Sequence, residues 1–147
     1  METEPVDILL IEDNPIDVEL AIRALKKSGL VNNIFVVNDG EDALDFIYCK
    51  NKYWNRKHSG IPKIILLDLK LPKVSGLEVF KIIKSDEDKK IIPVIVLTSS
   101  SQEKDMIESY KLGVNSYIQK PVDFDQFVES VKQIGMYWLL LNKLPIV

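Results

Sequence analysis

Short apolar runs rich in β-branched residues alternate along this chain with longer segments whose apolar positions recur at helical spacing. The runs are Val6–Ile11, Ile34–Val37, Lys63–Leu67, Ile91–Leu97 and Val114–Gln119. Such alternation predicts a βαβα chain, with parallel strands and helices on both faces of the sheet. Asn14 is a good N-cap and Pro15 suits the first helical position, so a helix starts there. Ile16, Leu20, Ala24 and Leu25 give that helix an apolar stripe, and Gly29 ends it in a left-handed conformation. Asp39–Gly40 turns into a second helix carrying Ala43, Leu44 and Ile47. A third runs from about Ser75 to Ser85, a fourth ends near Gly113, and Asp123 caps a last one reaching about Leu141.

The rhythm breaks between residues 50 and 62. Lys50, Lys52, Arg56, Lys57 and His58 occur there without an acid, in a connection longer than is usual between a helix and a strand. It reads as a basic, solvated loop, in which Trp54 needs partial burial against the domain or a partner. The C-terminal stretch, about 135–147, is the second departure. Ile134, Met136, Tyr137, Trp138, Leu139, Leu140 and Leu141 surround the last helix with apolar side chains, where one stripe would cover the sheet. That excess predicts a homodimer through the C-terminal helix region, with a fold-back of the tail as the bland alternative.

Composition adds limits. The 147 residues make one domain, 46% hydrophobic and 28% charged, which suits a globular core. A net charge of −3 gives no support to nucleic-acid binding. Cys49 is the only cysteine, which excludes an internal disulfide and a cysteine metal cage. The acidic start Met1–Glu2–Thr3–Glu4–Pro5 is no signal peptide, and no apolar run is long enough to span a bilayer. A cytoplasmic protein is the expectation.

The chemistry lies where the apolar runs end. Glu12 and Asp13 follow the first run, Asp68 the third, Thr98 the fourth and Lys120 the fifth. In a parallel α/β sheet the carboxyl ends of strands share one edge, where ligands bind. If Glu12, Asp13 and Asp68 lie within about 5 Å of each other, each ionised pair repels by roughly 3 kcal/mol at an effective dielectric near 20. The cluster must then protonate or recruit a cation, and hard oxygen ligands with open positions suit Mg²⁺. Helix capping does not account for Glu12 and Asp13, because Asn14 already takes that role. Asp68 is the candidate nucleophile, since a carboxylate can accept a phosphoryl group as an acyl phosphate. Thr98 and Lys120 would hold and neutralise that group. Each is weak alone: threonine often closes strands for packing, and most lysines are merely solvated. Pro121 strengthens Lys120, since an X-Pro bond can be cis and fix a tight turn.

Five segments together resemble the receiver domain of two-component response regulators. They are Ile11–Glu12–Asp13–Asn14, Leu66 to Pro72, Ser75–Gly76–Leu77–Glu78, Leu97–Thr98–Ser99–Ser100 and Tyr117 to Pro121. Order and spacing match from about residue 6 to 142. The resemblance implies a flavodoxin-like (βα)5 three-layer sandwich with a parallel sheet in the order 2-1-3-4-5. It implies that Asp68 accepts a phosphoryl group from a phosphohistidine on a sensor histidine kinase. It implies Mg²⁺ bound by Asp13, Asp68 and the backbone carbonyl of Lys70, with Glu12 acting largely through water, and Thr98 with Tyr117 as the switch pair. The loop at 50–62 and the C-terminal segment are similar to those of stand-alone regulators that partner bacterial phytochrome-type kinases. With no output domain in the chain, signalling to a downstream protein would work through a changed surface. Lys70 departs from the small polar residue common at its position, so the lifetime of the acyl phosphate does not carry over.

Two rival readings use similar residues. A haloacid-dehalogenase-like phosphatase needs a second Asp two residues after its nucleophile, and Lys70 stands there without a suitable pKa for that acid. A flavodoxin-like FMN carrier needs a hydroxyl- and glycine-rich loop after the first strand, whereas Glu12–Asp13 would repel a phosphate. His58 reads as a solvated residue, and Cys49 as a small packing residue.

Overall fold

The computed structural model describes residues 6–27, 29, 33–56, 60–98, 108, 111–114, 116–120 and 124–135. Strands β1 (Ile8–Ile11), β2 (Ile34–Val37), β3 (Ile64–Leu67), β4 (Val94–Thr98) and β5 (Ser116–Gln119) pair in parallel in the order β2-β1-β3-β4-β5. This is the flavodoxin-like sheet implied by the family resemblance. β1, β3 and β4 are buried at every position. Their unbroken apolar sequence follows from that, because a central parallel strand is covered on both faces.

Helices α1 (Pro15–Lys27), α2 (Gly40–Ile47), α3 (Gly76–Ser85) and α4 (Phe124–Gly135) divide between those faces. Leu9, Ile11, Ile65 and Leu67 point to one side, against Phe46 of α2 and Phe80 and Ile83 of α3. Ile8, Leu10, Ile64 and Leu66 point to the other, against Ala24 and Leu25 of α1 and Phe127 and Val128 of α4. The strand period of two thus feeds two separate cores.

Asn14 caps α1 as expected: its Oδ1 accepts from the amides of Ile16 at 2.9 Å and Asp17 at 3.3 Å. Gly29 takes the left-handed conformation that ends the helix, with φ +74°. The expected apolar stripe needs correction. Ala21, Ala24 and Leu25 are the buried residues of α1, while Ile16 is 77% exposed and Leu20 36%. Ile16 lies in the first turn, at the end of the helix where β1 stops and the sheet no longer covers it. Asp39 and Ser75 cap α2 and α3, accepting from the amides of Asp42 at 2.7 Å and Glu78 at 3.2 Å.

Residues 51–56 of the long connection are more ordered than their composition suggests. Asn51–Arg56 forms a 3₁₀ helix in which Tyr53 and Arg56 are buried. Phe35, Phe46 and Tyr53 form an aromatic cluster, and the Arg56 guanidinium lies 3.6 Å from the centroid of the Phe46 ring. Arg56 also donates from Nη1 to the Phe46 carbonyl at 2.9 Å. Trp54, expected to be partly covered, is 67% exposed.

Two glycines set how closely α2 and α3 approach the loop after β3. A Cβ on Gly76 would stand 2.0 Å from the carbonyl oxygen of Asp68, and one on Gly40 1.9 Å from that of Val74. Both obstacles are backbone, so neither can rotate away. Gly76→Ala is therefore expected to destabilise the fold by about 2 kcal/mol. Urea denaturation would reveal this as a lower midpoint at unchanged slope; an unchanged midpoint would mean that the loop yields freely.

The predicted helix ending near Gly113 falls mainly outside the described residues. What is described agrees with a helix end: the Leu112 amide donates to the Glu108 carbonyl at 3.0 Å, and Gly113 has φ +96°. Pro121, Asp123, His58 and the tail at 136–147 also lie outside the described residues. Among those described, no helix is long and apolar enough to cross a membrane.

Candidate functional site

Glu12 and Asp68 sit one step beyond neighbouring strands. The Glu12 amide donates to the Val37 carbonyl and the Asp68 amide to that of Ile11, each at 3.0 Å, so the sheet ladder continues into the site. The ladder holds both backbones rigidly while their side chains leave the apolar layer. Glu12, Asp13 and Asp68 each offer a carboxylate oxygen, and these oxygens lie within 4.8 Å of one another. Glu12 and Asp68 are buried and Asp13 is exposed, so the cluster opens to solvent on one side. Hard oxygen donors with an open approach fit a divalent cation that keeps some of its water.

Lys120 enters from the end of β5. Its amide donates to the Thr98 carbonyl at 2.7 Å, which ties the segment after β5 to the end of β4. Its ammonium bonds Glu12 Oε1, Asp17 Oδ2 at 2.9 Å and Asp68 Oδ2 at 3.2 Å. Glu12 Oε2 accepts from the amides of Asp13 at 3.1 Å and Asn14 at 3.4 Å. Asp68 Oδ1 accepts from the Lys70 amide at 3.1 Å, which directs the carboxylate across the mouth of the site.

The charges do not balance: one ammonium faces four carboxylates. Burial, a hydrogen bond shared with Asp68 and the charge of Asp68 outweigh the pull of Lys120, and the Glu12 carboxyl is pushed up to about 7. Burial acts to lower the Lys120 ammonium, but its hydrogen bonds to Glu12 and Asp17 and the charges of Asp68 and Glu12 prevail and raise it. Lys120 is therefore a permanent cation, while Glu12 exchanges its proton in the neutral range.

Thr98 is fully buried at the end of β4. Its register partner is Gln119, and Val96 pairs with Tyr117, so Thr98 and Tyr117 point to the same face of the sheet. Tyr117 packs against the core shared with α2 and α3. The sheet edge thus gathers Glu12, Asp13, Asp68, Thr98 and Lys120 from four strand ends.

Asp17 went unread in the sequence. It lies four residues after Asp13, in the first turn of α1, and a helix starting at Asn14 turns it toward the strand ends. Asn38 was missed as well; its side-chain amide donates to the Glu12 carbonyl at 3.1 Å. An Asn directly after an edge strand carries no signal that separates this role from a turn.

Residues 8–132 match the family model of the response regulator receiver domain. The chain is similar to the probable methanogenesis regulatory protein FilR2 of Methanothrix harundinacea, 40% identical over 146 residues, covering 97% of this chain and 89% of the relative. Response regulator Rcp1 of Synechocystis is also 40% identical, over 96% of this chain and 94% of its own. The crystal structure of the Mn²⁺-bound form of Rcp1 superposes with a TM-score of 0.82, at 39% identity over 97% of this chain and 100% of that one. The phosphorylated cyanobacterial phytochrome response regulator RcpA gives a TM-score of 0.83 at 39% identity, over 97% and 99%.

Proposed function

This chain belongs to the response regulator receiver domain family, and on that premise we propose that Asp68 is its phosphoacceptor. The observation that carries this assignment is the bonding of Lys120 to Asp68 and Glu12 at once, at the mouth of the acidic cluster. A carboxylate oxygen of Asp68 attacks the phosphorus of a phosphohistidine on a sensor histidine kinase. The P–N bond breaks, the imidazole leaves, and an acyl phosphate remains. Lys120 donates to the phosphoryl oxygens, and the Thr98 hydroxyl moves toward them.

Mg²⁺ is the proposed cofactor, held by Asp13, Asp68 and the Lys70 backbone carbonyl, with Glu12 acting largely through water. When bound it neutralises charge on the cluster and on the phosphoryl group. Support comes from the carboxylate oxygens of Glu12, Asp13 and Asp68, which lie within 4.8 Å of one another. Tyr117 follows Thr98 as the switch, on the face they share, and alters the surface that a downstream protein reads. The same pocket exposes the acyl phosphate to water, so the protein also catalyses its own dephosphorylation.

We further infer a partner of the phytochrome-kinase type, on the likeness to RcpA. A homodimer through the C-terminal helix region, a cytoplasmic location and no nucleic-acid role complete the reading of a single receiver domain at residues 1–147.

Acetyl phosphate with Mg²⁺ tests it directly. One phosphoryl group per chain should appear, acid-stable and base-labile, on the peptide that contains Asp68; a label on any other peptide would displace the assignment. Mg²⁺ should also raise the thermal midpoint, because the cation binds the folded cluster only. Asp13→Ala is expected to remove most of that gain. A full Mg²⁺ shift in that variant would place the metal elsewhere.

A further inference from the structure

We propose that Asp17 is a positioning residue that holds the Lys120 ammonium in the unphosphorylated protein and releases it to the phosphoryl group. The proposal rests on Asp68 as the phosphoacceptor. An ammonium has three donors and no acceptor. All three of Lys120 are engaged, on Glu12, Asp17 and Asp68. Lys120 therefore cannot donate to an incoming phosphoryl oxygen without giving up a carboxylate. The three partners are not equally replaceable. The side chains of Glu12 and Asp68 are 2% and 7% exposed, and leaving either without its cation would strand a buried charge. The Asp17 side chain is 30% exposed, so water can take over its bonds. Asp17 is the contact that yields.

The transfer itself balances without Asp17. With acetyl phosphate as donor, an Asp68 oxygen forms a P–O bond as the donor's P–O bond breaks, and acetate leaves with the electron pair. What Asp17 changes is the cost of recruiting Lys120. Its contact is made only before phosphorylation, so it favours the unphosphorylated state. Its charge also opposes the approach of an anionic donor across the open side of the site. Both effects have the same sign, and Asp17 acts as a brake on phosphoryl uptake.

Asp17→Asn keeps the size and the hydrogen-bonding oxygen but removes the charge. The concentration of acetyl phosphate that half-phosphorylates the protein should fall about three- to tenfold, equivalent to roughly 0.7–1.4 kcal/mol. Asp17→Glu, which restores the charge, should return it toward the wild-type value. A second readout needs no phosphorylation. In EDTA, a double-mutant cycle of Asp17→Asn with Lys120→Met, followed by urea denaturation, should show a favourable coupling between the two residues. Asp17→Asn that needs as much acetyl phosphate as wild type, or more, overturns the brake, and a coupling of zero overturns the hold on Lys120. If the wild type carries no phosphoryl group on Asp68, the phosphoacceptor reading fails, while the cycle still decides whether Asp17 holds Lys120.

Discussion

Asp68→Asn is expected to take up no phosphoryl group from acetyl phosphate or from a kinase, and yet to be more stable than the wild type when no metal is present. The first effect is chemical. An amide oxygen is a far weaker nucleophile than a carboxylate, and no acyl phosphate can form on it. The second is electrostatic. Asp68 shares the site with Glu12, Asp13 and Asp17 against the single charge of Lys120. Deleting one negative charge relieves repulsion with Glu12 and Asp13 at the cost of one bond to Lys120, a net gain on the order of 1 kcal/mol at pH 8 after solvent screening. Saturating Mg²⁺ should reverse the order, because Asp68 is one of the ligands proposed for it. Phosphoryl labelling and thermal denaturation, with EDTA and with Mg²⁺, measure both effects on one preparation. Labelling of the variant to the wild-type level would refute the assignment; a lower midpoint in EDTA would mean that the Lys120 bond outweighs the repulsion.

That a loss of function should accompany a gain in stability says how the site is built. A cluster of like charges is tolerated because rigid strands hold it. The Glu12 and Asp68 amides are fixed by the sheet ladder, and Gly76 seats α3 directly on the Asp68 carbonyl. Apolar burial on both faces supplies the free energy that the cluster consumes.

The same division explains what was legible in the sequence. Runs such as Ile64–Leu67 announce strands buried on both sides, and a polar residue directly after each run falls on the binding edge by topology alone. Glu12, Asp13, Asp68, Thr98 and Lys120 could therefore be gathered from their positions. Helix caps were equally plain at Asn14 and Ser75, because capping is a local bond. Asp17 was hidden because an acid in a first helical turn already has an ordinary reason to be there, through the helix dipole. Which way it faces depends on how α1 docks against the sheet and α4, a tertiary fact. Ile16 was misjudged for the same reason: helical spacing marks a stripe, but not where the sheet beneath it ends. Arg56 failed differently. A basic residue in a polar connection reads as solvated, and only its stacking on Phe46 reveals an arginine used as a flat core residue.

Lys120→Met is expected to produce the largest loss of stability at the site, about 3 kcal/mol in EDTA at pH 8, and a clearly smaller loss at pH 5. Methionine keeps the apolar stem and removes the charge, so packing is nearly conserved. The Lys120 side chain is 11% exposed and its partners on Glu12 and Asp68 less. Removing one partner of such a buried group leaves uncompensated charge, and the low end of the usual range applies because Asp17 can turn to water. The pH dependence follows from Glu12. Its folded carboxyl stands near 7 against an ordinary value of 4.5, so its ionisation opposes folding. That penalty is absent below pH 4.5, grows as pH rises toward 7, and is then complete. Without Lys120 the folded value moves higher still, and the penalty goes on growing beyond pH 7. At pH 5 Glu12 is protonated in the folded variant, and a neutral carboxyl needs no cation. Urea midpoints at the two pH values decide the matter. Equal losses at pH 5 and pH 8 would show that the charge Lys120 offsets is not that of Glu12. Added Mg²⁺ should recover part of the loss at pH 8, because the cation restores positive charge beside Glu12 and Asp68.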